Sequence, residues 1–143
     1  MNIRKYNDNE IDYIVELWCE ISKRSHDFIS KEYWEEKKED MREKYIPMSD
    51  TYIIEDNNKI LGFVSMVDNY LAAIFIDSNY HNKGYGNKLL NFIKEIKDEI
   101  QLKVYKKNKK AYEFYLKNDF ILKDESVDSD TGEREYLMIW KSN

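Results

Sequence analysis

The sequence predicts an α/β (α+β) fold, one mixed sheet with helices on both faces in the order βααβββαβαββ. Three observations carry that expectation. Short strand-like runs alternate with runs of helical spacing along all 143 residues. The segment from Tyr70 to Ile76 is apolar on both faces, as a central strand is. Two of the chain's four glycines, Gly84 and Gly86, stand one residue apart where that strand gives way to an amphipathic helix.

Ile3 to Tyr6 reads as an opening strand. Asp8 then caps a helix whose residues Ile11, Ile14, Val15, Trp18 and Ile21 follow helical spacing. His26 to Ser30 is a break. Ser30, with Tyr33 and Trp34 after it, opens a second, highly charged helix that runs to about Tyr45 and ends near Pro47. Tyr52 to Glu55 and Ile60 to Val67 pair around the turn Asp56-Asn57-Asn58. Beyond the central strand, Gly86 to about Lys97 forms a helix with Leu89, Leu90, Ile93 and Ile96 inward. Ile100 to Tyr105 is a strand and Asn108 to Lys117 a short helix. Phe120 to Val127 and Glu135 to Trp140 close the chain as a hairpin around Asp130-Thr131-Gly132. No repeat, linker or low-complexity tract divides the chain, so residues 1–143 read as a single domain. That length buries about 68–70% of the unfolded surface.

The bulk chemistry narrows the class. A net charge of −5 argues against a general nucleic-acid binder and favours cationic partners such as amines. The single cysteine, Cys19, excludes a disulfide framework and a multi-cysteine zinc site, and no metal is expected. No signal-like segment precedes the first strand, and no apolar run approaches the ~18 residues of a membrane span. A soluble cytoplasmic protein with no membrane partner is the expectation.

Free N–H groups at a helix N-terminus, backed by the positive end of the helix dipole, favour a phosphate. The glycine spacing decides which kind. A dinucleotide turn needs a third glycine or alanine three residues after the second, and Leu89 stands there. A nucleotide P-loop needs Gly-Lys-Ser/Thr, which is absent. What remains is the six-residue turn His81-Asn82-Lys83-Gly84-Tyr85-Gly86, feeding straight into a helix. It resembles the acyl-coenzyme A pyrophosphate loop of the GNAT N-acetyltransferase superfamily, Arg/Gln-x-x-Gly-x-Gly/Ala. A second run, Asn108-Lys109-Lys110-Ala111-Tyr112-Glu113-Phe114-Tyr115 through Asp119-Phe120, is similar to that family's Asn-x-x-Ala-x-x-x-Tyr…Gly-Phe element. The two lie at the family's usual separation, so the resemblance covers nearly the whole chain. Trp18, Ser22 and His26-Asp27-Phe28-Ile29 further resemble its small bacterial YjaB-type branch.

The resemblance implies a mostly antiparallel sheet splayed in the middle and an acetyl-CoA-dependent N-acetyltransferase that moves the acetyl group directly to a primary amine. The acceptor is a small amine, a peptide N-terminus or a protein lysine, and the protein a monomer or homodimer. Ile74, Phe75 and Ile76 would pair with the pantetheine arm. The N–H groups from Asn82 through Lys83, Gly84, Tyr85, Gly86 and Asn87 to Lys88 would hold the pyrophosphate, with charge from Lys83 and Lys88. Tyr115 would protonate the departing thiolate, a plausible donor at a pKa near 10. Asn108 would cap its helix, touch the cofactor arm, or both. Three positions depart from the family pattern: His81 for Arg or Gln, Ser78 for Pro, and Asp119 for Gly. Loops of this kind grip mostly through backbone N–H groups, which leaves room for His81. Asp tolerates the left-handed backbone expected at 119.

An alkyl amine with a pKa near 10.4 is only about one part in a few thousand neutral at pH 7, so a proton acceptor is needed. His26, Asp77 and Glu55 are the candidates, with positioning of the acceptor or capping of a helix as the other roles open to His26. Trp18, Phe28, Trp34 and Tyr70 could wall a pocket suited to a cation. The charged run from Lys31 to Lys44 reads as a solvated helix face and Cys19 as packing. A non-catalytic acyl-CoA-binding sensor is the competing reading. Tyr115 argues against it, because a pure binder has no use for a thiolate acid.

Overall fold

Side-chain alternation builds the two layers of the core. In β2 (Asp50–Asp56) and β3 (Lys59–Val67), Ile53 and Phe63 face one side of the sheet while Ile54 and Val64 face the other. The computed structural model describes residues Met1–Asn143. It places β1 (Asn2–Lys5), β2, β3, β4 (Tyr70–Ile76), β5 (Glu99–Tyr105), β6 (Ile121–Val127) and β7 (Arg134–Lys141) in one sheet of order β1-β2-β3-β4-β5-β7-β6. Helices α1 (Ile11–Ser25), α2 (Lys31–Asp40) and the short α3 (Ile46–Met48) lie near one face, packing Ile14, Trp18, Trp34 and Ile46 onto Ile53, Phe63 and Ala73. Helices α4 (Tyr85–Ile96) and α5 (Lys109–Lys117) belong to the opposite face, with Leu89, Leu90, Ile93 and Tyr115 against Ile54, Val64, Leu102 and Met138. Each such fully buried aliphatic or aromatic side chain stabilises the fold by roughly 1.5–3 kcal/mol.

The pairing of β4 matters most for function. All neighbouring strands run antiparallel except β4 and β5, which are parallel and meet only at Tyr70 and Gln101. On its other side, β4 pairs Ala73 with Ser65 and Leu71 with Met66, so Ala72 is an extra, unmatched residue. A bulge bends the strand that carries it and strengthens its twist. Strand β4 therefore leaves β5 after one pair, and the sheet splits from there to Ile76.

Element limits follow the sequence closely, with four differences. The N-terminal cap of the first helical segment is Asn7, whose N–H donates to Glu10 Oε1 at 2.8 Å, and a 3₁₀ turn over Asp8–Glu10 precedes α1. The charged segment ends near Pro47 as expected but is not one α-helix: α2 stops at Asp40, and a π-turn over Met41–Tyr45 leads into α3, where proline stands in a first turn that needs no N–H from it. Ile96 is 49% exposed rather than inward, because α4 ends there and turns away from the core. The second strand of the chain is longer than its apolar run, extending from Asp50 to Asp56. Ion pairs Lys23–Glu35, Lys38–Glu16 and Arg42–Asp12 stitch α2 and the π-turn to α1. The charged run is thus a solvated face whose cross-links are screened by solvent and add little to stability. No helix is long and apolar enough to cross a membrane.

Candidate active site

The split between β4 and β5 opens into a cleft of about 1020 Å³. At one end lies the turn into α4. Asn82 and Gly84 take positive φ, 63° and 83°, and Gly84 is the N-terminal flank of the helix. A Cβ added at Gly84 would meet nothing within 4 Å, so this glycine serves backbone conformation and open access rather than packing. At Gly86 the same atom would sit 3.4 Å from Phe114 Cζ, so a small residue lets α4 lie against α5. The first helical bond runs from Lys88 N–H to Gly84 O at 3.1 Å, and none of the N–H groups from His81 to Asn87 donates within the protein. A row of free donors at a helix N-terminus is a site for anionic oxygen.

The sequence-derived residues divide around this cleft. Ile74, Phe75 and Ile76 line it on the strand, His81, Asn82, Gly84, Tyr85, Gly86 and Asn87 on the turn, and Asn108 and Tyr115 on α5 and its cap. Lys83 and Lys88 do not line it, and the Lys88 ammonium lies over the Tyr85 ring at 5.6 Å. His81 bends back, its Nε2 2.8 Å from Ile76 O, so its ring ties the turn to the end of β4. Asp119 has the left-handed φ of +70° expected of it. Two candidate bases are elsewhere. Glu55 is held by Arg4 and Asn2 near the sheet edge, and Asp77 accepts the Asn79 N–H at 3.0 Å in a turn outside the cleft. Neither stands at the split, because both side chains are already used to fasten local structure.

Tyr115 is 8% exposed. Its hydroxyl has no hydrogen-bond partner in the protein and is not among the fully buried unpaired atoms, so it opens into the cleft. Burial, with a smaller contribution from Tyr70, pushes its phenol well above the ordinary range and keeps it protonated. Asn108 caps α5 by accepting the Ala111 N–H on Oδ1 at 3.3 Å. Its amide nitrogen therefore faces His26 Nε2 at 3.2 Å and donates to it. That contact assigns the His26 proton to Nδ1 and occupies the Nε2 lone pair. His26 is enclosed by Trp34, Tyr105 and Phe28 at ring separations of 5.2, 5.1 and 5.7 Å. Burial lowers its pKa from 6.5 to about 4, against a small opposing pull from the Ser22 carbonyl, so it is neutral at pH 7.

The aromatic wall differs from the one expected. Trp18 and Trp34 touch edge to face at 5.6 Å and are only 8% and 6% exposed, so they are mainly core. Tyr105, which the apolar pattern of β5 gave no reason to single out, completes the wall. Its hydroxyl donates to Asp128 Oδ2 at 2.6 Å, and burial followed by that bond raises its pKa. Glu135 on β7, one charged residue among many along the sequence, lines the cleft and pairs across the sheet with Tyr105. Lys109 and Lys110 at the start of α5 line the cleft too. Their only sequence signal is the basic run from Lys106 to Lys110, which reads equally as a solvated turn.

A family model described as an acetyltransferase (GNAT) domain matches residues 47–122. The chain is 30% identical to the peptidyl-lysine N-acetyltransferase YiaC of Escherichia coli, over 96% of this chain and 95% of that protein. It is 27% identical to the peptidyl-lysine N-acetyltransferase YjaB of the same organism, over 92% and 90%. The solution structure of apo-form YjaB from Escherichia coli superposes with a TM-score of 0.85, at 25% identity and 96% and 95% coverage. A paia N-acetyltransferase from Thermoplasma acidophilum, solved with coenzyme A, shares the fold with a TM-score of 0.84, at 23% identity and 99% and 98% coverage.

Proposed function

The chain belongs to the GNAT acetyltransferase family and is an N-acetyltransferase, and from that premise we propose that it transfers acetyl from acetyl-CoA directly to the side-chain amine of a lysine in a peptide. One observation carries the site assignment: the unpaired N–H row from His81 to Asn87 and the unpaired Tyr115 hydroxyl open on the same cleft, where β4 leaves β5. The names of YiaC and YjaB support lysine as the acceptor.

In this reading the pyrophosphate lies on the N–H row at the start of α4, and the pantetheine arm runs beside Ile74, Phe75 and Ile76 on the freed edge of β4. The thioester then falls between β4 and α5, where Tyr115 gives its proton to the departing sulfur. A thiolate in a desolvated site is also held above its ordinary pKa, so burial shifts donor and acceptor in the same direction and proton transfer stays feasible. No step calls for a metal. His26 acts through Asn108: with its lone pair engaged and its pKa depressed, it orients the cap of α5 instead of taking the amine's proton. The reading carries with it a cytoplasmic protein, monomeric or homodimeric, which fractionation and light scattering check.

Thiol release from acetyl-CoA, measured against lysine peptides with blocked N-termini, peptides with free N-termini but no lysine, and small amines, tests the proposal. Release driven by the lysine peptides is expected. Release with small amines alone would overturn the acceptor assignment. Coenzyme binding with no release by any amine would favour a non-catalytic acyl-CoA sensor.

A further inference from the structure

We propose that Glu135 receives the acceptor's ammonium on the far side of the sheet and takes its proton, and that Lys103 holds that place until the acceptor arrives. The inference rests on the acetyl-transfer reading and adds the group that it lacks. Only two carboxylates line the cleft, Asp27 and Glu135, and Asp27 is exposed at the turn after α1. Glu135 stands directly across from Tyr105 in the β5–β7 ladder, so both project from the same face. Tyr105 packs with the α1–α2 layer, whereas Tyr115 and the neighbouring Tyr136 belong to the α4–α5 layer. The split between β4 and β5 lies between them. An acid for the leaving sulfur and a receptor for the entering nitrogen thus stand on opposite faces of the gap in which the acyl carbon sits.

The surroundings of Glu135 suit an alkylammonium. Its side chain is 14% exposed, and its near cation is Lys103 Nζ, 3.7 Å from Oε1. Lys103 is 45% exposed and lines the same cleft, so the pair is loose and one partner is free to leave. The protein's own lysine shows that this carboxylate pairs with an ammonium on a flexible stem at a position that lines the cleft. A second lysine that displaced it would keep the buried charge balanced throughout. The groups facing Glu135 are Lys103 and Tyr105 on β5, Tyr70 on β4 and Asp128 after β6. Burial raises the carboxyl's pKa, Asp128 raises it further, and Lys103 opposes them. Once Lys103 has left, the acceptor's ammonium is the cation paired with the carboxylate, and the proton passes within that pair.

The proton count closes. An ammonium N–H bond breaks and a Glu135 O–H bond forms. The freed nitrogen pair makes the C–N bond as the carbonyl π pair moves to oxygen. When that pair returns, the C–S bond breaks with its electrons on sulfur, which takes the Tyr115 proton. The extra proton on the new amide nitrogen restores Tyr115 through water, and Glu135 releases its proton to solvent after turnover.

The test uses Glu135→Gln, Glu135→Asp and Lys103→Met, with a lysine peptide of blocked N-terminus as the acceptor. Glu135→Gln is expected to lower kcat/KM for the peptide on the order of a hundredfold and to abolish the acid limb of the pH profile, with coenzyme A affinity unchanged. Glu135→Asp restores the acid limb. Lys103→Met lowers the peptide KM by up to about fivefold and moves the acid limb to higher pH, because the cation that depresses Glu135 is gone. A wild-type acid limb and peptide KM in Glu135→Gln would overturn the proposal, as would a higher KM in Lys103→Met. Peptide binding to the coenzyme A complex, read without turnover, separates this failure from that of the acetyl-transfer reading. If wild type binds peptide but releases no thiol, weaker binding by Glu135→Gln still supports the receptor, and equal binding overturns it.

Discussion

Tyr115 and His26 show how one environment gives two side chains different duties. Both are buried at the split in the sheet, and burial penalises the charged form of each. For the phenol this means a retained proton and an unpaired hydroxyl facing the cleft, the state of a general acid. Tyr115→Phe is expected to lower kcat about a hundredfold while leaving coenzyme A affinity within a factor of two, by stopped thiol assays and equilibrium binding. An unchanged kcat would remove Tyr115 from the mechanism. For the imidazole, burial means neutrality and a fixed tautomer. The folded-state pKa near 4 lies below the unfolded value of 6.5, so the unfolded chain takes up the proton first as the pH falls. Stability carried by neutral His26 is complete above about pH 6.5 and is lost toward pH 4, by about 2–3 kcal/mol. Urea unfolding at pH 7 and pH 4.5 checks this, and His26→Gln should flatten that part of the pH dependence.

At the scale of elements, the bulge in β4 and the turn into α4 set the site. Gly62 on β3 leaves no room for a side chain: a Cβ there would lie 2.4 Å from Phe75 O and 2.5 Å from Ile76 Cδ1. Gly62→Ala is expected to destabilise the fold by about 1–3 kcal/mol and to disturb the end of β4 that the cofactor arm would follow, measurable by denaturant titration. Gly84→Glu or Gly86→Glu places bulk and negative charge in front of the N–H row. Either should cost coenzyme A at least a tenfold loss of affinity; normal affinity would sink the loop assignment. The turn itself was legible because Gly84 and Gly86 stand at one spacing beside an apolar strand. The bulge at Ala72 was not legible in the residues, since Leu71-Ala72-Ala73 reads as an unbroken apolar strand and only the β3 pairing exposes the extra residue. The π-turn before Pro47 was hidden in the same way, by a charged helix whose period is too weak to show a change of register.

For the whole molecule, a ligand that binds only the folded state raises its stability by RT ln(1 + [L]/Kd), about 2.7 kcal/mol at a hundred times Kd. Coenzyme A at saturation is therefore expected to raise the unfolding midpoint by a few degrees, and the Gly86→Glu variant to lose the shift. A calorimetric scan with and without coenzyme decides it. The residues alone determined the order of elements, the two faces of the sheet, the central place of β4, and the glycine turn and Asn108…Tyr115 run that mark the family. These are local properties: periodicity, caps and turn geometry act over a few neighbouring residues. Only the tertiary structure decided that Lys83 and Lys88 lie off the cleft, that Glu55 and Asp77 are tied down elsewhere, that His26 hands its lone pair to Asn108, and that Glu135 faces the gap from the far side. Each depends on which strand meets which, and Glu135 reaches the site only because β7 inserts between β5 and β6. A pairing made between residues thirty positions apart leaves no period for a sequence to show.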